Sequence, residues 1–261
     1  MSKVFEVGER VLLIDPKRRR YLVTLKPQGE FHSHSGFVPH DDIIGSPEGS
    51  TVRSTRNVAY LVVRPTLSDF VLKMPRGAQV IYPKDLGPIL MHADIHPGAR
   101  VLESGIGSGA LSMAMLRAGA DIVGYEVRED FAARAIENVS AFLGEEALTR
   151  YRIEIRSSYD SIDETDLDRV VLDLPEPWQV VPHAAKALHP GGILLAYTPS
   201  IVQVMQLRDA LEANGFDVPE TLEVLNRTWH VEGAAVRPDH RMDAHTGFLT
   251  HARLLGATST E

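Results

Sequence analysis

The rhythm of apolar and polar positions changes part-way along the chain. In the first ninety or so residues, apolar residues come in short β-rich runs. Arg10-Val-Leu-Leu-Ile14 and Tyr21-Leu-Val-Thr-Leu25 flank Asp15-Pro16-Lys17, a turn signal. Tyr60-Leu-Val-Val63, Phe70-Val-Leu72 and Gln79-Val-Ile-Tyr82 continue the series, with Gly, Pro, Asn and Asp in the gaps. Runs of this length predict a small β-barrel or sandwich over residues 1–93.

From residue 94 the pattern alternates between strand and helix. Strands are expected at Arg100–Glu103, Asp121–Glu126, Tyr151–Ile155, Arg169–Leu172 and Gly192–Tyr197. Helices are expected from Gly109, with Leu111, Ala114, Met115 and Ala118 on one face, and over Glu129–Leu143, Trp178–Leu188 and Ile201–Asn214. This order predicts an α/β fold, a doubly wound sheet that is parallel at least in its centre, over residues 94–261. The boundary is placed near Ala93, just before Asp94-Ile-His-Pro-Gly98. Leu222–Val231 and Thr246–Leu254 read as extended and are expected to form a closing antiparallel pair.

Composition adds constraints. The 261 residues carry 27 Lys+Arg and 35 Asp+Glu, a net charge of −8, which argues against a surface that is basic all round. The charge is uneven. Residues 1–93 hold 13 basic and 9 acidic side chains, and residues 94–261 hold 14 and 26. A mildly basic piece beside an acidic one suggests a polyanionic partner for the first. With no cysteine, disulfide scaffolds, Cys-based zinc sites and thiol catalysis are excluded. No apolar run approaches the roughly 18 residues of a membrane helix, and Met1–Arg10 lacks a signal-peptide core. A cytoplasmic location without membrane attachment is the expectation.

Chemistry gathers at two loops. Val101-Leu-Glu103-Ser-Gly105-Ile-Gly107-Ser108-Gly109 lies between the first strand and first helix of the α/β part. Glycines there let the chain turn tightly and let a ligand approach the backbone. Glu126 ends the next strand, where an acidic side chain can accept hydrogen bonds from both ribose hydroxyls of a nucleoside. The spacing is not the G-x-G-x-x-G of dinucleotide sites. In the second loop, Asp173 follows the apolar run Val170-Val-Leu172 and precedes Leu174-Pro175-Glu176-Pro177-Trp178. Two prolines fix φ and keep their predecessors extended, so the acid sits at the base of a stiff loop at a strand's C-terminal end, where open α/β sheets bind ligands.

The glycine loop resembles motif I of the class I S-adenosylmethionine-dependent methyltransferases. The Asp-x-Pro-x-Pro-Trp loop is similar to the Asp/Asn-Pro-Pro-aromatic motif of amino-methyltransferases. Together with other stretches it resembles the tRNA adenine N1-methyltransferases that modify adenosine 58 in the T-loop. Those stretches are His32-Ser-His34-Ser-Gly36 with His40, Ile44-Gly45, Glu48-Gly49, Leu61–Thr66, Met74–Asp85, Val236-Arg237-Pro238 and His245–Leu249. Ser104 departs from the Ala or Gly expected there, with no functional change anticipated.

The resemblance implies S-adenosylmethionine as cofactor, tRNA as substrate and a homotetramer. It places Glu103 near the methionine end of the cofactor and makes Gly105, Gly107, Ser108, Gly109, Ala110 and Leu111 its lining. Glu126 would hold the ribose, Phe131 would pack near the adenine, and Ser158 and Asp160 would contact the adenine amino group. Asp173 would border the cofactor and act on the target base, and the resemblance implies that Tyr82 contacts that base by stacking or through its hydroxyl. Arg18, Arg19, Arg20, Arg53 and Arg56 are candidates for phosphate contacts.

Other readings stay open. One is a class I methyltransferase acting on another RNA base or a protein nitrogen. An NAD-dependent oxidoreductase is disfavoured by the missing fingerprint, and a catalytically silent RNA-binding module by Asp173 and Glu126 together. His32, His34 and His40 with Asp41 and Asp42 invite a metal reading, but the spacing offers no fourth ligand, so a structural or RNA-contacting role is expected and no metal. For Arg237 and His245 a subunit interface and a substrate channel both stay open.

Overall fold

In the computed structural model, which describes residues 4–77 and 79–256, the first apolar runs pair as their alternation predicts. Ala78 and the first three residues of the Met1–Arg10 segment lie outside the described residues. Strand β1 (Arg10–Ile14) runs antiparallel to β2 (Arg20–Thr24), with Leu12 opposite Leu22. Asp15 closes their turn by accepting the backbone N–H groups of Lys17 and Arg19, each at 2.9 Å. A short hairpin follows, β3 (Glu30–Ser33) and β4 (Gly36–Pro39), then β5 (Thr51–Arg53) and β6 (Ala59–Val63). The main sheet runs β2-β1-β6-β5. Its core holds Phe5, Leu13, Leu25, Val38, Ile43 and Tyr60.

Phe70-Val-Leu72 is not a strand. It lies in helix α1 (Leu67–Lys73), started by a capping box in which Thr66 Oγ1 accepts from Asp69 N and Asp69 accepts from Thr66 N. Three apolar residues do not fix a period, and the capping box decides.

Contacts divide the chain into Met1–Met74 and Pro75–Glu261, ahead of the boundary expected near Ala93. Gln79–Tyr82 forms no strand but leads into α2 (Pro83–His92), whose first position is Pro83. Leu86 and Ile89 of α2 are buried, and the helix packs on α3 (Ala110–Arg117), which ties residues 75–93 to the second unit.

That unit is built on β7 (Arg100–Ser104), β8 (Asp121–Glu126), β9 (Tyr151–Ile155), β10 (Leu167–Leu172), β11 (Leu188–Thr198), β12 (Phe216–Glu223) and β15 (Phe248–Leu254). Helices α4 (Glu129–Leu143), α5 (Val181–Ala187) and α6 (Ile201–Ala213) complete it. The strand order is β12-β15-β11-β10-β7-β8-β9, parallel from β11 to β9, with β15 antiparallel to both neighbours. Chain order reverses between β7 and β10, the switch point at which such sheets open a crevice. Val170, Val171 and Leu172 are fully buried there, as a central parallel strand requires.

Two expected elements differ. The extended stretch over 222–231 divides, its start ending β12 and its end entering a separate hairpin, β13 (Trp229–Glu232) and β14 (Ala235–Pro238). The helix expected over 178–188 is a short 3-10 turn at Pro177–Gln179 followed by α5, because Pro182 favours a fresh first turn. Among the described residues, no helix is long and apolar enough to cross a membrane.

Candidate functional site

The C-terminal ends of β7 and β10 lie side by side, joined where Asp173 N donates to Ser104 O at 2.9 Å. Gly105 then turns away with φ +87, a left-handed conformation that side chains resist. A Cβ on Gly105 would sit 2.1 Å from the carbonyl oxygen of Asp173, so glycine alone permits the approach. Gly109, at φ +80, caps α3 and packs on Ala135 of α4. The buried Asn138 of α4 donates to Ser108 O at 3.0 Å and to Pro75 O at 3.1 Å, holding the outer side of the loop.

Two carboxylates bracket this loop. Glu126, at the end of β8, accepts from Gly107 N at 3.1 Å through one oxygen. Its other oxygen accepts from Val127 N at 2.9 Å and Arg128 N at 3.0 Å. Glu103, on β7, has no exposed surface. Ser112 donates to its Oε2 at 2.6 Å and is itself the acceptor of Tyr151 Oη–H at 2.8 Å. Its Oε1 is buried without a hydrogen-bond partner. Burial, reinforced by the charges of Asp173 and Glu126 against the Ser112 bond, pushes the Glu103 carboxyl up to about 8.

Asp173 keeps some accessible surface yet is closely surrounded, and desolvation lifts its carboxyl to about 7. Its loop is tied down. Glu176 N donates to Tyr159 Oη at 3.2 Å, and Gln203 Nε2 donates to Pro175 O at 2.8 Å. A cavity of about 230 Å³ opens on one side of Gly105, lined by Glu126, Ser158, Tyr159 and Leu174 among others. On the other side a narrow pocket is lined by Ile81, Ser108, Ala110, Leu111 and Asp173. A larger apolar cleft of about 580 Å³ between α6 and β12 lies away from these groups and holds none of this chemistry.

The arrangement is a pair of pockets on either side of Gly105, with a buried acid beneath them and a second acid on a stiff rim. Known proteins share the sequence and the fold. A family model described as "tRNA methyltransferase complex GCD14 subunit" matches residues 58–237, and a TrmI-like N-terminal model matches residues 4–52. A Thermus thermophilus protein named tRNA (adenine(58)-N(1))-methyltransferase TrmI is 39% identical over 93% of this chain and 96% of its own. The chain belongs to the tRNA (adenine-58-N1)-methyltransferase family. A Methanocaldococcus jannaschii relative named for adenines 57 and 58 is 35% identical over 93% and 94%. The crystal structure of the Aquifex aeolicus tRNA (m1A58) methyltransferase TrmI superposes with a TM-score of 0.86 at 28% identity, covering 97% of this chain and 100% of that one. A Thermotoga maritima structure titled a SAM-dependent O-methyltransferase gives 0.92 at 30% identity, covering 97% and 95%.

Within this methyltransferase chain the structure brings together most of the residues singled out from sequence. Gly105, Glu126 and Ser158 face the larger cavity. Gly105, Gly107, Ser108, Ala110, Leu111 and Asp173 face the narrow one. Glu103 lies buried in β7 beneath them, and Tyr82 is the part-buried N-cap of α2, directly after the lining residues Gln79, Val80 and Ile81. Asp160 is exposed, beyond the lining. Phe131 lies under the Arg128 guanidinium, 3.7 Å from its ring centroid, and is not among the residues lining either cavity.

Sequence reasoning missed several positioning residues of the family fold. Ser104, the departure from the usual motif, shares a buried 2.7 Å hydrogen bond with Ser158. Lys84 and Asp85 form a buried ion pair of 2.8 Å, and Thr246 donates to Asp85 at 2.7 Å. Tyr197 donates to Thr246 O at 2.6 Å and packs its ring on Gly247, where a Cβ would be 2.4 Å away. Burial pushes the Tyr197 phenol up to about 12, with Asp85, Asp173 and Tyr82 adding to the effect. A Lys-Asp pair at a helix start and the Thr246-Gly247 step were the only signals.

In the first unit the three histidines do not converge. His32 pairs with Glu30 at 2.9 Å, His34 Nε2 meets Arg19 at 3.0 Å, and buried His40 accepts from Lys26 N at 3.1 Å. Arg19 is also fixed by Asp15, Arg20 pairs with Asp69, Arg53 bonds Asn57 and Arg56 donates to His34 O at 3.0 Å. Exposed Arg18 sits at φ +62 in the β1–β2 turn. His245 bridges Glu223 at 2.7 Å and Pro199 O at 2.9 Å, while Arg237 is an exposed residue of β14 opposite His230.

Proposed function

We propose that the chain transfers a methyl group from S-adenosylmethionine to N1 of adenosine 58 in the tRNA T-loop, giving 1-methyladenosine. The observation that carries this is the 39% identity over nearly the whole length of relatives so named. Bound S-adenosylmethionine would supply an electrophilic methyl on a sulfonium. The residues fit that group. Gly105 lets the two loops close on each other, since any Cβ there would strike the Asp173 carbonyl, and the orphaned Oε1 of Glu103 is an acceptor free to take a donor from the group or its water. Glu126 suits the ribose, but three backbone N–H groups already occupy most of its roughly four acceptor positions. It can take one hydroxyl as it stands; a second requires a donor such as Gly107 N–H to let go.

Asp173 acts on the substrate. Adenine N1 has an in-plane lone pair, so no base is needed to expose it. Methylation spreads positive charge over N1 and N6. The Asp173 carboxylate, accepting from the N6 amino group, orients the base and stabilises that charge as it forms. Tyr82 flanks the same base. The target must be swung out of the folded tRNA, at a cost of a few kcal/mol, which phosphate contacts by Arg18, Arg19, Arg20, Arg53 and Arg56 offset. Self-association into a homotetramer belongs to this reading; exposed apolar residues such as Trp229, Val231 and Val236 on the β13–β14 hairpin support it.

The test is incubation with unmodified tRNA and labelled S-adenosylmethionine, followed by nucleoside mass analysis. Label in 1-methyladenosine, absent from tRNA carrying guanosine at position 58, is expected. Label in a ribose oxygen, another base or nothing overturns the reading.

A further inference from the structure

On the far edge of the second unit, three side chains outside the crevice meet. His92 ends α2, His251 lies on β15, and Glu220 lies on β12 directly opposite His251 in the strand register. Their ligand atoms all fall within 4.8 Å of one another. The two imidazoles stack with ring centroids 5.0 Å apart and planes 29° apart. His251 Nε2 is buried and makes no hydrogen bond, though Glu220 Oε2 stands 3.5 Å away. A buried imidazole nitrogen without a partner is costly unless something else uses its lone pair.

We propose that His92, Glu220 and His251 form a binding site for a divalent transition cation of the zinc type, with water completing the shell. Two imidazoles and one carboxylate with an open position is a common zinc donor set. Ligands around one such ion, at about 2.1 Å each, lie about 3.4 Å apart; Glu220 and His251 already stand 3.5 Å apart, and the widest of the three separations, within 4.8 Å, has up to about 1.4 Å to close. Glu220, mostly exposed, has the freedom to do so. The backbone is shaped around it. Between Asp217 and Glu220 the pairing slips, and Val218 is held at φ +51, which a β-branched residue seldom adopts. The bulge sets Glu220 across from His251. Bound metal would pin the C-terminal end of α2 to the sheet edge. The three ligands come from distant parts of the chain, so no spacing motif announces them.

The site does not depend on the methyl-transfer reading, and its test uses no substrate. The purified full chain, stripped with EDTA and dialysed, is titrated with Zn²⁺ by calorimetry and with Co²⁺ by visible absorption at pH 7.5. One equivalent per chain is expected, with d–d bands of a low-coordinate nitrogen/oxygen site and a rise of several degrees in melting temperature. H92Q, E220Q and H251Q should each weaken binding at least tenfold and abolish the shift. H32A/H34A should leave both unchanged, and near-native melting of E220Q without metal guards against misfolding. No stoichiometric binding, or binding that survives H251Q, overturns the proposal.

Discussion

Replacing Glu103 by Gln removes a titratable proton from beneath the crevice and almost nothing of the side chain's volume. Burial raises this carboxyl from 4.5 to about 8, so the folded protein holds the proton more tightly than the unfolded chain does. The stability tied to that proton is complete below pH 4.5 and drains away as pH rises through 8. At roughly 1–2 kcal/mol per pH unit, the loss between pH 5 and pH 8 is about 3–4 kcal/mol. Gln cannot ionise and escapes it. Its amide does leave a buried NH₂ where Oε1 had no partner, a cost of about 1–3 kcal/mol that does not vary with pH. The slope is therefore the diagnostic. Urea unfolding of cofactor-free wild type and E103Q at pH 5, 6, 7 and 8 should show the variant gaining steadily on the wild type, because all other titrating groups are common to both. Cofactor affinity should fall in E103Q even as stability at pH 8 rises. A stability difference that is flat with pH would mean Glu103 is ionised at neutrality, and the burial argument would fail.

Asp173→Asn should lower turnover about 10²–10³-fold with cofactor affinity within a few-fold. The wild-type kcat/KM should drop with falling pH below about 7, where the raised carboxyl protonates; a level profile from pH 6 to 8 contradicts the assigned role. Gly105→Ala forces a left-handed Cβ, about 1–2 kcal/mol, against the Asp173 carbonyl 2.1 Å away. Melting temperature and turnover should both fall, and normal turnover would deny the close contact. Ser104→Ala leaves the Ser158 hydroxyl buried and unpaired, costing about 1–3 kcal/mol. The double variant S104A/S158A should recover part of that in denaturant unfolding; additive losses would refute a paired role.

The parallel half of the sheet was legible because its signals are local and redundant. Asp121–Glu126 and Glu129–Leu143 each carry a full period with a clear boundary, and both match the structure to the residue. The placement of Asp173 at a strand end on a stiff loop was legible because a β-prone run ending in Asp with two prolines sets it there. What escaped depends on partners far away in sequence. Nothing at Ser104 says that Ser158 waits across the crevice, and nothing at Asn138 says that it holds Ser108 and Pro75. The errors have equally definite causes. Phe70-Val-Leu72 is too short for its period to outweigh the Thr66–Asp69 capping box. Residues 79–82 look like a strand but serve as the extended lead into a proline-started helix.

The close seating of the Asp173 carbonyl on Gly105, where an added Cβ would lie only 2.1 Å from it, has an engineering consequence. The two loops, separated by some seventy residues of chain, form a single interchangeable part. Grafting only the Asp-x-Pro-x-Pro-Trp segment from a relative, to retarget the enzyme to another base, will misfit unless the glycine turn travels with it. Chimeras that exchange both segments together should stay folded where single-segment grafts do not.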